Sequence, residues 1–356
     1  MSVPALAPVP RPDLDHVLAH TEAVWRDMAG ASIFITGGTG FFGLWLLETL
    51  AWANARLNVG VRATVLSRDP QSFSRRVPHL AANRSIKFLA GDIRDFTLPK
   101  TRFSHVIHAA FDSGRAITNP LAAFDTLATG TRRIMEFAAT QPLQRMLFVS
   151  SGAVYGPQPA DVEHLAESFC GAPDPLLPAS AYAEGKRVGE FLCGLAAANG
   201  LPVSIARCFA FLGPGLPMDS HFAASNFLRD AHRGCEIVVK GDGTPLRSYL
   251  HAADLAIWLW TILLRGTAGR AYNVGSDQAI SIGDLARLVA AQSPVRPAVR
   301  VLGKNDGDRP ERYVPDISRA GAELGLAVTL PLVEGIRRTL SWISSQDENI
   351  KELPPP

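Results

Sequence analysis

Residues 33–44, a short apolar run followed by a glycine-rich turn, constrain this chain more than any other stretch. The apolar run leads into Gly37, Gly40 and Gly43, and leucines at helical spacing follow them. In such a strand-turn-helix unit the glycines let the backbone turn tightly and approach a pyrophosphate, while the helix start offers free N–H groups and partial positive charge. The stretch predicts a dinucleotide-binding turn, although its G-x-x-G-x-x-G spacing differs from the common G-x-G-x-x-G pattern and also suits a simple tight turn.

Length, charge and cysteine content limit the classes of protein to consider. A chain of 356 residues has room for one large α/β unit and a smaller lobe, and a net charge of +2 gives no reason to expect nucleic acid or an anionic membrane as a partner. The four cysteines lie far apart without a C-x-x-C pair, which predicts neither a zinc site nor a disulfide framework. The longest apolar run, residues 255–264, is shorter than the roughly 20 residues that span a bilayer, and no signal peptide is apparent. These features predict a soluble, cytoplasmic protein.

The order of apolar patterns predicts a parallel sheet. Residues 1–12 are expected to form a disordered arm, and residues 13–28 a helix. Beyond the glycine turn, strand-like runs alternate with helical stretches, and these runs are residues 61–66, 86–89, 105–108 and 145–150. Such alternation implies a doubly wound α/β fold of Rossmann type, with the cofactor at the carboxyl ends of the strands.

The end of the second strand is expected to face the adenosine ribose of the cofactor. An acid at this position suits NAD, whereas an arginine suits the 2′-phosphate of NADP. The strand ends Ser67-Arg68-Asp69, so Arg68 favours NADP and Asp69 keeps NAD as an alternative.

Two further segments are expected near the dinucleotide. Asp92 and Ile93 follow the third strand, where a carboxylate can accept a hydrogen bond from adenine, although Asp is also an ordinary turn residue there. Ala109 and Ala110 end the fourth strand with small side chains that let a dinucleotide lie against the backbone. His108 is interpreted as a structural histidine rather than a catalyst.

Two segments carry residues suited to proton transfer. Residues 148–156 form a strand that delivers serines to the carboxyl edge of the sheet, and Tyr182 and Lys186 lie four residues apart on one face of a predicted helix. An ammonium group beside a phenol favours the phenolate and lowers its pKa, which produces an acid/base suited to a sugar hydroxyl or carbonyl.

From the glycine turn to about residue 340 the chain resembles the extended short-chain dehydrogenase/reductases, which include sugar-nucleotide epimerases, dehydratases, decarboxylases and ketoreductases. The matching motifs are T-G-G-T-G-F-x-G from residue 36, S-S-x-x-V-Y-G from residue 150 and Y-x-x-x-K from residue 182. The resemblance implies that Ser151 binds the reacting oxygen, that Tyr182 moves its proton and that Lys186 also holds the nicotinamide ribose. The predicted cofactor contacts are Gly37, Thr39, Gly40, Phe41, Phe42, Gly43, Ser67, Arg68, Asp92, Ile93, Ala109, Ala110, Tyr182 and Lys186.

The resemblance also suggests a division of the chain. Residues 1–30 form an arm and helix, and residues 31–205 form the main NAD(P)-binding domain with the catalytic residues. A smaller α/β substrate lobe takes residues 206–345, the chain crossing back to the large sheet around residues 250–275, and residues 346–356 form a tail.

A nucleotide-diphosphate sugar is the substrate that the resemblance implies. Arg247 would bind the diphosphate, because a forked cation suits paired phosphate oxygens. Asn226 lies where relatives offer a donor to the same group. Arg309 and Arg312 belong to a stretch that resembles a C-terminal segment closing over the nucleotide in relatives. A charged surface loop is the alternative interpretation of this stretch.

Departures from the family pattern bear on the reaction. Dehydratases follow the active-site hydroxyl with Asp-Glu, and decarboxylases often keep a glutamate there, whereas this chain has Gly152-Ala153. Ala210 stands where many relatives have an asparagine that contacts substrate. The pattern resembles epimerases and 4-ketoreductases, and the expected site of reaction is C4 of a hexose. A dehydratase whose acid is Glu184 and a decarboxylase are alternatives.

Other functions stay open at this stage. Related ketoreductases act on non-sugar carbonyls, which have no use for a diphosphate-binding arginine, and some members of the fold only sense NADP. Relatives commonly form homodimers through two long helices, and residues 121–139 and 181–198 are the candidates for that contact.

Overall fold

The computed structural model describes residues 5–111, 118–218, 222–304 and 310–351. Within these ranges seven strands form one sheet in the order β3-β2-β1-β4-β5-β6-β11, and every neighbouring pair is parallel. The strands are β1 (Ser32–Thr36), β2 (Arg62–Ser67), β3 (Ile86–Ala90), β4 (His105–His108), β5 (Arg145–Ser151), β6 (Val203–Cys208) and β11 (Ala271–Val274). The order reverses between β1 and β4, and in doubly wound sheets a ligand crevice opens at such a point. The predicted fold class is confirmed.

Helices cover both faces of this sheet because successive residues of the strands are apolar and point alternately to its two sides. In β1, Ile33 and Ile35 join one apolar cluster while Phe34 joins another on the opposite face. The first face carries α1 (Arg11–Asp27), α2 (Phe41–Leu57) and α8 (Ala252–Arg265), and the second carries α5 (Pro120–Ala139) and α6 (Ala181–Ala198). Short helices α3 (Pro70–Arg76), α4 (Pro78–Ala81) and α10 (Ser318–Leu324) connect or flank them.

A smaller lobe has its own apolar core. This core contains side chains such as Phe227, Leu285 and Ile336. The lobe's helices are α7 (Ala223–His232), α9 (Ile282–Gln292) and α11 (Leu332–Lys351). Its short strands are β7 (Phe211–Leu212), β8 (Ile237–Val239), β9 (Leu246–Arg247), β10 (Leu250–His251), β12 (Ile280–Ser281), β13 (Val299–Val301) and β14 (Arg312–Tyr313). The helices of the described ranges all lack the combination of length and apolar character that crossing a bilayer requires.

The expectation of a disordered arm over residues 1–12 is wrong for its described part. Val9 is buried, and its N–H donates to Glu48 Oε1 at 3.2 Å. The Leu6 N–H donates to the Arg76 carbonyl at 2.7 Å, and α1 begins at Arg11. The segment is ordered because distant parts of the chain satisfy its backbone groups and cover its apolar side chains.

Candidate active site

The glycine turn joins β1 to α2 and lies directly against the end of β4. Gly37 has a φ of 75°, which favours glycine, and a Cβ at this position would lie 2.4 Å from the Ala109 carbonyl oxygen. Gly40 precedes the first turn of α2, and no side chain caps this helix. Among the described residues, a Cβ on Gly40 would come within 4 Å only of the Gly37 carbonyl oxygen, at 3.5 Å. The turn thus presents open space before uncapped N–H groups, which fits the pyrophosphate of a dinucleotide.

The remaining predicted contacts in the turn differ in their surroundings. The Thr39 carbonyl accepts a hydrogen bond from Arg76 Nη2 at 2.6 Å. Phe41 and Phe42 begin α2, and the Phe42 ring meets Phe211 edge-on with centroids 5.1 Å apart. A Cβ on Gly43 would lie 2.3 Å from the Gly38 backbone, so Gly43 lets the helix pack closely against the turn.

His108 has the structural role expected of it. Its Nδ1 lies 2.7 Å from Thr36 Oγ1 and its Nε2 lies 2.9 Å from Thr131 Oγ1, so both ring nitrogens are occupied. Burial and, to a smaller extent, the charge of Lys186 lower its pKa to about 3. The neutral ring ties β1, β4 and α5 together beside the cofactor turn, and the Ala110 N–H donates to the same threonine, Thr36, at 3.2 Å.

The predicted ribose and adenine contacts meet at the ends of β2 and β3. Asp69 caps α3, accepting a hydrogen bond from the Ser72 N–H at 2.9 Å. Asp92 pairs with Arg94, whose Nε lies 2.8 Å from its carboxylate. That hydrogen bond lowers the pKa of Asp92, and the nearby charge of Arg68 contributes in the same direction. The two acids therefore already have partners, and Arg68 lies close enough to Asp92 to affect its ionisation.

Ser67 and Ile93 are buried beside this cluster. The Ser67 carbonyl accepts a hydrogen bond from the Gly91 N–H at 3.0 Å. A Cβ on Gly130 would lie 2.7 Å from Cγ2 of Ile93, so Ile93 packs closely against α5. Both residues are therefore part of the packed interior at the ends of β2 and β3.

Ser151 and Tyr182 come together where β5 ends and α6 begins. The Ser151 hydroxyl lies close enough to the Tyr182 phenol to affect its ionisation, and Ser151 Oγ accepts a hydrogen bond from the Ala153 N–H at 3.2 Å. Burial raises the pKa of Tyr182 to about 12, although the contact with Ser151 acts to lower it. The phenol of Tyr182 is therefore protonated at neutral pH in this structure.

Lys186 lies one turn further along α6. Its Nζ donates to the Val149 carbonyl at 2.6 Å and lies 5.2 Å from the centre of the Phe148 ring. Burial lowers the pKa of Lys186 to about 8. The expected lowering of the Tyr182 pKa by this ammonium is not observed, because the amine is directed to the β5 backbone and the phenol is governed by burial.

Phe111, which sequence reasoning missed, links these catalytic candidates to the glycine turn. Its ring lies 4.3 Å from that of Tyr182, centroid to centroid, and it follows the two alanines that pack against Gly37. The Lys186 Nζ lies 5.9 Å from the same ring. An aromatic residue directly after the small residues was the available signal. Residues 109–111 therefore contact both the glycine turn and the candidate proton-transfer groups.

A buried network supports the hydroxyl site from behind. Arg207 pairs with Glu190 at 2.6 Å, and Ser150 Oγ donates to the same carboxylate at 2.6 Å. Arg207 Nη1 donates to the Tyr155 hydroxyl at 2.9 Å, and this hydroxyl donates to Asn273 Oδ1 at 2.7 Å. The bond from Ser150 to Glu190 ties the strand that carries Ser151 to α6, whereas the Tyr155 hydroxyl connects β6 to β11.

The predicted substrate residues lie in the small lobe. Arg247 Nη2 lies 3.2 Å from a Glu311 carboxylate oxygen. Asn226 Oδ1 accepts from Arg229 Nη1 at 3.1 Å within α7. Arg312 Nη1 donates to the Glu163 carbonyl at 3.4 Å, and Arg309 lies outside the described residues.

A second missed residue, Tyr313, reaches the hydroxyl site from the far end of the chain. Its hydroxyl lies close enough to Ser151 for that serine to affect its ionisation, and burial raises its pKa above the ordinary value. A Cβ on Gly152 would lie 2.6 Å from this hydroxyl. Tyr313 is one of only five tyrosines in the chain, but no local pattern marks it as part of the site.

Comparisons with known proteins agree with this geometry. The family model described as "NAD dependent epimerase/dehydratase family" matches residues 33–275. UDP-glucuronic acid decarboxylase 1 of Xenopus tropicalis is 27% identical, with 89% of this chain and 73% of that protein covered. The dTDP-glucose 4,6-dehydratase of Streptomyces griseus is 29% identical, with coverages of 87% and 93%.

A solved structure shares the architecture. The dTDP-glucose 4,6-dehydratase DesIV of Streptomyces venezuelae, crystallised with NAD bound, superimposes with a TM-score of 0.74 at 25% identity, covering 88% of this chain and 97% of that one. The resemblance to extended short-chain dehydrogenase/reductases is confirmed. The glycine turn, the strand ending in Ser151 and the helix with Tyr182 and Lys186 all belong to the matched region, and the chain is an enzyme of the NAD-dependent epimerase/dehydratase family.

Proposed function

We propose that this enzyme is an NAD(P)-dependent sugar-nucleotide epimerase or 4-ketoreductase that transfers a hydride at a hexose ring carbon, C4. The observation that supports it best is the hydroxyl site, where Ser151 and Tyr182 meet beside the side-chain-poor pair Gly152-Ala153. Epimerisation and ketone reduction need only hydride and proton transfer, and a bound nicotinamide supplies or accepts the hydride.

Side chains of the protein transfer the proton and orient the sugar. Ser151 holds the reacting oxygen, and Tyr182 transfers a proton to or from it. Because burial raises the pKa of Tyr182 to about 12, its phenol is protonated at neutral pH and suits donation to a carbonyl oxygen. We assign the nicotinamide ribose to the Lys186 ammonium, which is buried next to the β5 backbone.

The alternative reactions need a carboxyl group near the sugar. Glu184 is directed towards Arg187, with Nε to Oε2 at 3.6 Å, rather than towards Tyr182. Glu190 is committed to Arg207 and Ser150. The names of the curated relatives keep dehydration and decarboxylation as the second candidate, but these two carboxylates already have partners.

We favour NADP as the exchangeable cofactor. Asp69, the acid that would serve NAD, caps α3 through Ser72. Arg68 lies at the end of β2, where a 2′-phosphate would bind. The glycine turn serves NAD and NADP equally, so the discrimination depends on this strand end.

We assign the diphosphate of the substrate to Arg247. Its partner Glu311 is largely exposed, at 79% of the side chain. Such exposed ion pairs contribute little free energy, so a diphosphate can replace the carboxylate. Asn226 is assigned a supporting contact from α7.

A homodimer and a cytoplasmic location complete the proposal. Helices α5 and α6 expose large apolar side chains, with Leu121 71%, Phe191 66% and Leu195 48% exposed. Burying them against a second copy would form a four-helix contact. Exposed free thiols at Cys170 and Cys235 suit a reducing compartment.

The test is incubation of the pure protein with UDP-, dTDP-, GDP- and CDP-hexoses, with a nucleotide-bound 4-keto-hexose and with UDP-glucuronate, each with and without NADPH, followed by mass spectrometry. An isomer of unchanged mass supports epimerisation, and a gain of two hydrogens from a 4-keto sugar supports reduction. Loss of water or carbon dioxide would instead establish the second candidate. Tyr182→Phe, which keeps the ring, is the control that should abolish every product.

A further inference from the structure

Hydrogen bonds from two parts of the chain hold the segment that contains Tyr313. Its strand β14 runs parallel to β9, with Tyr313 opposite Arg247. The next residue, Val314, donates its N–H to Gln158 Oε1 at 2.9 Å and accepts from the Leu165 N–H at 2.9 Å. The segment therefore joins the small lobe to the loop that follows the Ser151 strand.

Aromatic packing and a glycine set the position of the phenol. The Tyr313 ring lies 4.6 Å from the Phe209 ring, centroid to centroid. A Cβ on Gly152 would lie 2.6 Å from the Tyr313 hydroxyl and 2.7 Å from the Phe209 ring. The hydroxyl therefore occupies the space next to Ser151 that any side chain at position 152 would require.

The hydrogen-bonding capacity of Ser151 then decides the direction of each bond. A serine hydroxyl has one hydrogen to donate and two lone pairs to accept with. One lone pair takes the Ala153 N–H, at 3.2 Å. Tyr313 stays protonated and can fill the second lone pair, which leaves the Ser151 hydrogen for Tyr182 or for the substrate oxygen.

We propose that Tyr313 is a positioning residue for proton transfer: its hydroxyl donates to Ser151 Oγ and so directs the Ser151 hydrogen towards Tyr182 and the reacting oxygen. This inference rests on the proposed function. Tyr313 keeps its own proton throughout. The proton that moves is that of the Tyr182 phenol, which passes to the substrate oxygen and leaves a phenolate that accepts the Ser151 hydrogen bond.

The test compares Tyr313→Phe with Tyr155→Phe. Each variant removes one buried hydroxyl and keeps its ring, but the Tyr155 hydroxyl bonds to Asn273 and Arg207 rather than to Ser151. Since one hydrogen bond is worth about 1.4 kcal/mol in this setting, Tyr313→Phe should lower kcat roughly tenfold without changing KM. It should also raise the solvent deuterium isotope effect on kcat. Tyr155→Phe should lower the temperature of unfolding and leave the isotope effect at the wild-type value.

A second measurement needs no turnover. In protein with 13C at the tyrosine Cζ, the Tyr182 resonance is assigned by its loss in Tyr182→Phe. It should shift in Tyr313→Phe and keep its position in Tyr155→Phe. Gly152→Ala, which displaces the Tyr313 hydroxyl from the opposite side, should shift it in the same way.

The possible failures are distinguishable. An unmoved Tyr182 resonance in Tyr313→Phe, or an unchanged kcat and isotope effect, overturns the role of Tyr313 while the reaction stands. A shifted resonance in a protein that converts no sugar nucleotide overturns the proposed function, and with it the catalytic meaning of the contact.

Discussion

Substituting Gly37 by alanine tests the role of the glycine turn in binding the cofactor. A matched glycine elsewhere, Gly30, separates the cost of the backbone conformation from the cost of the steric clash. Gly37 and Gly30 both have a φ of 75°, and alanine pays about 1–2 kcal/mol for this backbone conformation. A Cβ on Gly30 meets nothing within 4 Å, whereas one on Gly37 lies 2.4 Å from the Ala109 carbonyl oxygen. Of the two substitutions, therefore, only Gly37→Ala adds a clash, which is between the new Cβ and the Ala109 backbone.

The size of this clash follows from the distances. Ordinary contact begins near 3.4 Å, so the turn and the end of β4 must separate by roughly 1 Å. Overpacking of this kind costs about 1–3 kcal/mol. We expect Gly30→Ala to lose about 1–2 kcal/mol of unfolding free energy and Gly37→Ala about 2–5 kcal/mol.

Two assays check the prediction. Urea unfolding gives the loss of stability for each variant, and the quenching or enhancement of NADPH fluorescence gives the cofactor affinity. Gly37→Ala should weaken cofactor binding at least tenfold, since about 1.4 kcal/mol lost at the pyrophosphate contact has that effect. Gly30→Ala should bind as the wild type does. Equal destabilisation of the two variants, or wild-type affinity in Gly37→Ala, would refute the assigned role of this turn.

Three further predictions concern cofactor choice, assembly and acid stability. Arg68→Ala should weaken NADPH binding at least tenfold in a fluorescence titration and leave NADH binding unchanged, and equal losses for both cofactors would contradict the NADP assignment. Phe191→Glu, placed on a side chain that is 66% exposed, should convert a dimer to a monomer in analytical ultracentrifugation without lowering the temperature of unfolding. Burial lowers the pKa of His105, His108 and His251 to about 4, 3 and 4, from 6.5. The unfolded chain therefore binds protons first as the pH falls below 6.5, and each histidine should remove up to about 1.4 kcal/mol of stability per pH unit until its folded pKa is reached. An unchanged urea midpoint between pH 7 and pH 5 would be inconsistent with three buried neutral rings.

The sheet was predictable because a strand buried on both faces leaves a clear apolar run. The run over residues 61–66 became β2 at Arg62–Ser67, and the run over 105–108 became β4 with the same bounds. The ordered conformation of residues 5–12 was not predictable from the sequence. It depends on Glu48 and Arg76, and no periodicity in the arm itself indicates those partners.

The site divides in a similar way. Spacing alone places Tyr182 and Lys186 on one face of α6, and strand topology brings Ser151 to the same edge. The direction of the Tyr182 pKa shift was not predictable, because spacing on a helix does not tell where the end of a long side chain lies. Tyr313 was not predicted as a site residue because the residues near it, including Ser151, are distant in the sequence.

The segment that contains Tyr313 and joins the small lobe to the loop after β5 affects the order in which binding and activity return during folding. The glycine turn is built from residues 33–43 and the end of β4, whereas the proposed contact of Tyr313 with Ser151 joins residues that are far apart in the chain. Closing the longer loop costs more chain entropy and delays the contact. In refolding from urea, we expect recovery of nicotinamide binding to precede recovery of turnover.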